Sequence, residues 1–186
     1  KIKNYLNTNK TLLKKDQKFI YNIADRYLII SKNRHKIDII NDLLDHVDVI
    51  PNSIVLAQAA NESGWGTSRF AREFNALFGQ YTYDVNNGIK PINRKADEKH
   101  LIKFFPSINH SIDSYFHNIN THFAYYDFRQ TRQYLRKNNF PFDPNILSKK
   151  LNTYAKDKNY IRTIISIIRF NKLTEYDDLT TTATIS

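Results

Sequence analysis

Ile20, Ile23, Tyr27 and Ile30 recur at steps of three and four, which predicts an amphipathic helix over about 15–31. Ile37, Ile40, Leu44 and Val47 predict a second. Pro51 and Ser53 mark a start, and the Ala-rich run Ile54–Glu62 predicts a third helix. Val55–Ala60 is almost wholly apolar, so this helix is expected to be buried all round. Gly64 and Gly66 stop it, and Thr67–Phe74 predicts a short fourth helix. The period then changes. Tyr81, Tyr83 and Val85 alternate, Asn86-Asn87-Gly88 is a turn signal, and Leu101–Phe105 is a β-type run. This stretch predicts a small lobe of two or three strands, with a polar loop through Arg94–His100. Helical stripes resume at Ile108, Ile112, Tyr115, Phe116 and Ile119, then at Phe128, Tyr134 and Leu135. Pro141 and Pro144 punctuate. Ile161, Ile164, Ile165 and Ile168 give a last helix, and the Thr-rich stretch after Leu173 is expected to fray.

Composition narrows the function classes. The 186 residues suit one domain. There is no cysteine, which excludes disulfides, zinc–thiolate sites and a cysteine nucleophile. Lys and Arg number 28 against 18 Asp and Glu, a net charge of +10 that suits an anionic partner. Twelve Tyr, twelve Phe and one Trp are enough to line a cleft, although most such rings pack cores. No apolar run approaches the roughly 18 residues of a membrane-spanning helix. The chain begins at Lys1 and contains no Met, so an export segment is expected to have been removed.

Glu62 is the most informative single residue. It ends the Ala-rich helix and is followed by Ser63-Gly64-Trp65-Gly66. Partial burial and the negative end of a helix both disfavour a carboxylate, so its pKa is expected to rise. A carboxyl protonated near neutral pH is what a general acid must be. The competing reading is an exposed helix-end glutamate, or one paired with Arg69 or Arg72. The flanking glycines favour a site, because they permit a close ligand approach beside Trp65.

The segments Ala57–Ser68 (AQAANESGWGTS), Asn75–Gly79 (NALFG) and Tyr154–Tyr160 (YAKDKNY) resemble glycoside hydrolase family 73, the peptidoglycan endo-β-N-acetylglucosaminidases. Phe105–Ser111, Asn118–Tyr125 and Phe128–Arg132 resemble its bacterial Bax branch in particular. The likeness runs in order from about Asp48 to Leu173. It implies an α+β, predominantly helical fold, a lysozyme-like body with a small β-hairpin lobe flanking a substrate cleft. It implies cleavage of the β-1,4 bond after N-acetylglucosamine in peptidoglycan glycan strands. The family's catalytic glutamate matches Glu62, and its signature tyrosine facing that glutamate matches Tyr154. Trp65, Asn75, Phe78 and Gly79 match the intervening blocks, and Gln80 and Tyr81 follow directly. The expected substrate-binding set is Trp65, Asn75, Phe78, Gln80 and Tyr81. The expected organisation is helices in 1–47 packing on a catalytic domain 48–173 as a single compact unit, with a flexible tail 174–186. A monomer in the bacterial periplasm or cell envelope, without cofactor, completes the expectation.

Some relatives carry a second glutamate on the β-lobe. Here the lobe offers Asp84, Asp97 and Glu98, none in an obvious family motif, and each alone is better read as a solvated loop carboxylate. The substrate's own acetamido oxygen could serve instead. The histidines His35, His46, His100, His110, His117 and His122 lack the His-Glu-x-x-His spacing, so no metal is expected. The alternatives are a muramidase or lytic transglycosylase on the same fold, which would also use a helix-end glutamate, or a basic, non-enzymatic domain binding cell wall or nucleic acid. Scattered basic residues and the absence of any recognised module weigh against nucleic acid.

Overall fold

The computed structural model describes residues 14–91, 99–155 and 157–178. Its contacts divide the chain into two compact units, each made of two stretches: 1–49 with 117–153, and 50–116 with 154–186. The N-terminal helices therefore share a unit with 117–153, and the grouping follows contacts rather than sequence order.

The first unit contains α1 (Lys14–Arg26), α2 (Lys36–His46), the end of α5 (Ile108–Thr121), a 3-10 turn Phe123–Tyr125, α6 (Tyr126–Lys137) and α7 (Pro144–Ser148). Ile20 and Ala24 of α1, Ile39, Ile40 and Leu43 of α2, and Ile29 form its apolar core. α1 is shorter than its periodicity suggests. Leu28 takes a left-handed backbone, and the Ile29 amide donates back to the Ala24 carbonyl at 2.8 Å. This helix-ending turn carries Ile29 into the core and leaves Leu28 and Ile30 exposed. A buried polar cluster fastens α6. Arg132 donates to the carbonyls of Asp45, Asp48 and Val49 and to Asn120 Oδ1, at 2.7–3.1 Å. Burial pushes its guanidinium down to about 10. Arg129, one turn earlier, donates to the carbonyls of Ile119 and His122, and Arg136, one turn later, grips both Asp48 carboxylate oxygens.

The second unit holds α3 (Asn52–Ser63), α4 (Arg69–Phe74), a small sheet, the start of α5, α8 (Tyr160–Phe170) and a 3-10 turn Leu173–Tyr176. α3 buries one face rather than its whole circumference. Ser53, Ile54, Ala57, Gln58 and Ser63 are buried, whereas Leu56 is 42% exposed. Its start is completed from far along the chain. Pro51 offers no side-chain cap, and Asp177 accepts from the Ser53 amide at 2.8 Å and the Ser53 hydroxyl at 2.7 Å. A carboxylate there meets the unpaired amides and positive dipole end of the helix. Residues 174–178 are thus fixed in place, contrary to the expected fraying directly after Leu173. The anchor, Asp177, lies 124 positions from the helix start it caps.

The sheet is three-stranded and antiparallel, with order β1 (Tyr81–Thr82), β3 (Leu101–Lys103), β2 (Gly88–Ile89). Tyr81 pairs with Ile102, and Gly88 with Lys103. The Asn-Asn-Gly signal does turn the chain, but the strands it joins do not pair, because β3 lies between them. Asp84 organises this turn, its carboxylate accepting from the Asn86 amide and from both asparagine side chains at 2.9–3.0 Å. Strand order then puts Gly88 against Thr82 and Leu101, where a β-carbon would stand 2.6 Å from side-chain atoms of each.

Candidate active site

Every described residue of the site belongs to the second unit. α3 ends at Gly64, and Gly64, Trp65 and Gly66 take left-handed φ of 58°, 59° and 73° in succession. The Trp65 amide returns to the Ala60 carbonyl at 2.7 Å, and the Ser63 hydroxyl accepts from the Gly66 amide at 2.7 Å. A left-handed run is costly for any residue with a β-carbon, so these bonds hold Trp65 in place. Trp65 is 62% exposed. Ser68 then caps α4.

Glu62 stands half-buried on the last turn of α3. Asn61 Nδ2 donates to its Oε1 at 3.3 Å. A β-carbon on Gly79 would stand 3.3 Å from Glu62 Oε2. Gly79 also has φ +58°, where any β-carbon is strained, and a β-carbon there would press on the Glu62 carboxyl. Desolvation raises the Glu62 pKa and outweighs the lowering influence of Asn61 and Tyr160. Arg69 pairs with Glu73 at 2.9 Å, which leaves the alternative reading of a Glu62–Arg69 pair without support.

Tyr154 lies beside Tyr160. Its ring is parallel to that of Tyr160, with centroids 5.6 Å apart, and its hydroxyl donates to the Phe78 carbonyl at 2.9 Å. It thereby fastens the Phe78–Gly79 segment that backs Glu62. Phe78 is buried and stacks on Tyr115 at 4.1 Å, so its side chain is core. Asn75 closes α4 in a left-handed conformation and donates to the Phe105 carbonyl at 2.9 Å, a framework role. Gln80 Nε2 donates to the Ser114 carbonyl, and its buried Oε1 has no hydrogen-bond partner among the described residues. Tyr81 is exposed, its ring 4.2 Å from that of His100. Of the expected substrate-binding set, Trp65 and Tyr81 present exposed rings, while Phe78 and Asn75 hold the frame.

Asp84 is exposed and occupied by its own turn, and Asp97 and Glu98 lie outside the described residues. Three residues packed behind the site are absent from the expected site residues: Gln58, Tyr115 and Tyr160. Gln58 Nε2 donates to the Tyr160 oxygen at 2.7 Å, and the Tyr115 hydroxyl donates to Gln58 Oε1. The available signals were Gln58 as the one amide within the run Ile54–Ala60, and Tyr160 as the far end of the YAKDKNY block.

Comparison with known proteins places this chain among the glycoside hydrolases. The sequence model of the glucosaminidase family, described as mannosyl-glycoprotein endo-beta-N-acetylglucosaminidase, matches residues 37–173, and the chain belongs to that family. It is 38% identical over 152 residues to Protein bax of Escherichia coli (strain K12). That alignment covers 81% of this chain but 53% of the relative, so the chain spans about half the relative's length. The catalytic domain of the autolysin Auto from Listeria monocytogenes has the same fold, with a TM-score of 0.52, 94% of each chain covered and 18% identity.

Proposed function

We propose that this chain hydrolyses the β-1,4 bond after N-acetylglucosamine in peptidoglycan glycan strands, with Glu62 as general acid. The observation that carries this reading is the half-buried Glu62 carboxyl, held above its ordinary pKa by desolvation at the position matching the family's glutamate. In the first step Glu62 gives its proton to the departing glycosidic oxygen as the anomeric C–O bond breaks. Water then adds at the anomeric carbon and restores the proton balance. Asp84 is committed to its turn, which favours the route in which the substrate's acetamido oxygen meets the anomeric carbon. Tyr154, whose proton lies on the Phe78 carbonyl, would turn its oxygen toward the positive charge developing there. The exposed rings of Trp65 and Tyr81 offer faces to the sugar. The +10 charge suits an acidic wall polymer, and a site of action in the periplasm or cell envelope follows from that substrate. No helix among the described residues is long and apolar enough to cross a membrane.

Digestion of purified sacculi, borohydride reduction and mass spectrometry test the bond cleaved. N-acetylglucosaminitol ends are expected. Reduced muramic ends would make the chain a muramidase, and 1,6-anhydro ends a lytic transglycosylase. Glu62→Gln should lower turnover by about 10²–10⁴-fold, the usual contribution of a positioned acid. Near-normal turnover would remove Glu62 from the mechanism.

A further inference from the structure

Gly64, Gly66 and Gly79 all have positive φ, but a β-carbon would meet different things at each. At Gly66 it would meet nothing within 4 Å, and at Gly64 the Thr67 hydroxyl at 3.5 Å, an ordinary contact. At Gly79 it would stand 3.3 Å from Glu62 Oε2, which is tighter, so one side would have to give. Gly66 therefore answers to backbone conformation alone, whereas Gly79 answers to a carboxyl as well.

The backbone at Gly79 cannot retreat. The carbonyl before it, that of Phe78, accepts from the Tyr154 hydroxyl at 2.9 Å. The carbonyl after it, that of Gln80, accepts from the Lys103 amide at 2.8 Å. Phe78 is buried and stacks on Tyr115, with centroids 4.1 Å apart, and the Leu77 amide donates to the Ser111 hydroxyl at 3.3 Å. Anchors at 77, 78 and 80 thus fix the chain on both sides of 79. The carboxyl is the softer partner. It ends a side chain with three rotatable bonds, and Asn61 Nδ2 reaches its Oε1 only at 3.3 Å, a long hydrogen bond. Oε1 is met by Asn61 and Oε2 by the bare α-carbon of Gly79, so the carboxyl is bracketed between them.

We propose that Gly79 is a positioning residue, a fixed wall without a side chain that sets the orientation of the Glu62 carboxyl. This rests on Glu62 being the general acid. A methyl group at 79 displaces Oε2 by a few tenths of an ångström, because the anchored backbone holds and the side chain yields. Proton transfer to the departing oxygen depends on that alignment.

The test is a cycle of four proteins on a soluble glycan oligosaccharide: the unaltered chain, Gly79→Ala, Glu62→Gln and the double variant. Circular dichroism monitors folding. Gly66→Ala, read by melting temperature only, gives the cost of left-handed strain without the contact. Gly79→Ala should lose a similar amount of melting temperature, yet its kcat should fall by about tenfold with KM little changed, since a 1 Å misplacement costs on the order of 100-fold. In the Glu62→Gln background the same substitution should cause no further fall, because residues that act through one group are not additive. Equal fold-losses in both backgrounds would mean a general disturbance of the framework and overturn the proposal. So would an unchanged kcat in folded Gly79→Ala, or a raised KM at unchanged kcat, which would make Gly79 a sugar contact. Should Gly79→Ala not fold, Gly79→Asn carries the same expectation, since asparagine tolerates the left-handed backbone, as Asn75 does here at φ 52°, and brings the same β-carbon. An inactive Glu62→Gln with an unaffected Gly79→Ala rejects the positioning role alone, whereas an active Glu62→Gln rejects the acid on which it rests.

Discussion

Glu62 is held where its charge is disfavoured, and that has a measurable effect on stability. Its pKa is raised in the folded state, from about 4.3 in an unfolded chain. Between those two values the folded protein binds more protons than the unfolded one, so stability falls as pH rises through the window. Glu62→Gln removes the titration. It should raise the melting temperature relative to the unaltered chain at neutral pH, and the difference should shrink as pH is lowered toward 4. A variant less stable at neutral pH would show that the carboxylate is stabilised in place. Tyr154 admits a similar separation of roles. Tyr154→Phe removes one hydroxyl, and the bond to the Phe78 carbonyl is worth about 1 kcal/mol. If that oxygen also meets developing positive charge, kcat should fall well beyond any loss attributable to partial unfolding at the assay temperature. An unchanged kcat in the folded variant would leave Tyr154 as a fastener of the Phe78–Gly79 segment.

At the scale of elements, α3 depends on both of its ends. Its start has no local cap, and Asp177 supplies one through two bonds to Ser53. Its finish relies on three successive left-handed residues, which end the helix directly after Ser63 and leave Trp65 exposed. Asp177→Ala should cost about 1 kcal/mol, typical of a lost helix cap. In a chain of this size that lowers the melting temperature by about 2–4 °C. An unchanged melting temperature would mean that Asn52, which donates to the Tyr176 carbonyl at 2.7 Å, suffices to anchor the segment. The sheet illustrates a different dependence. Asp84 forms the turn, but pairing requires β3, which comes after β2 in the chain.

For the whole molecule the +10 charge matters more than any single cation. A basic protein acting on an anionic polymer gains local concentration from long-range attraction, and salt screens that attraction over about 10 Å at 0.1 M. Hydrolysis of sacculi should therefore slow as salt is raised from about 0.01 M toward 0.5 M, as the Debye length falls from about 30 Å to well under 10 Å. Cleavage of an uncharged N-acetylglucosamine oligomer should change little over the same range. Equal salt dependence on the two substrates would argue against charge-guided engagement of the wall.

The helices were legible in the sequence because their signal is local. Stripes such as Ile20–Ala24 and Ile161–Ile168 need only a repeat of three to four residues, and Gly64 ends α3 by its own backbone preference. Glu62 was legible for the same reason: a carboxyl at the glycine-terminated end of an apolar helix, set in blocks that recur in a family. What the sequence could not show are the partners that satisfy buried polar groups. Gln58 meets Tyr115 across 57 positions and Tyr160 across 102, and Asp177 reaches Ser53 across 124. No periodicity encodes such meetings, because a core amide or an uncapped helix end is satisfied by whichever polar group the tertiary fold brings within hydrogen-bonding distance. The same holds for β3 lying between β1 and β2, and for the joining of 1–49 with 117–153 in one unit. The sequence thus determined the local elements and the candidate acid. The fold alone decided which distant hydroxyls, amides and carboxylates satisfy the buried polar groups of the helix that carries it.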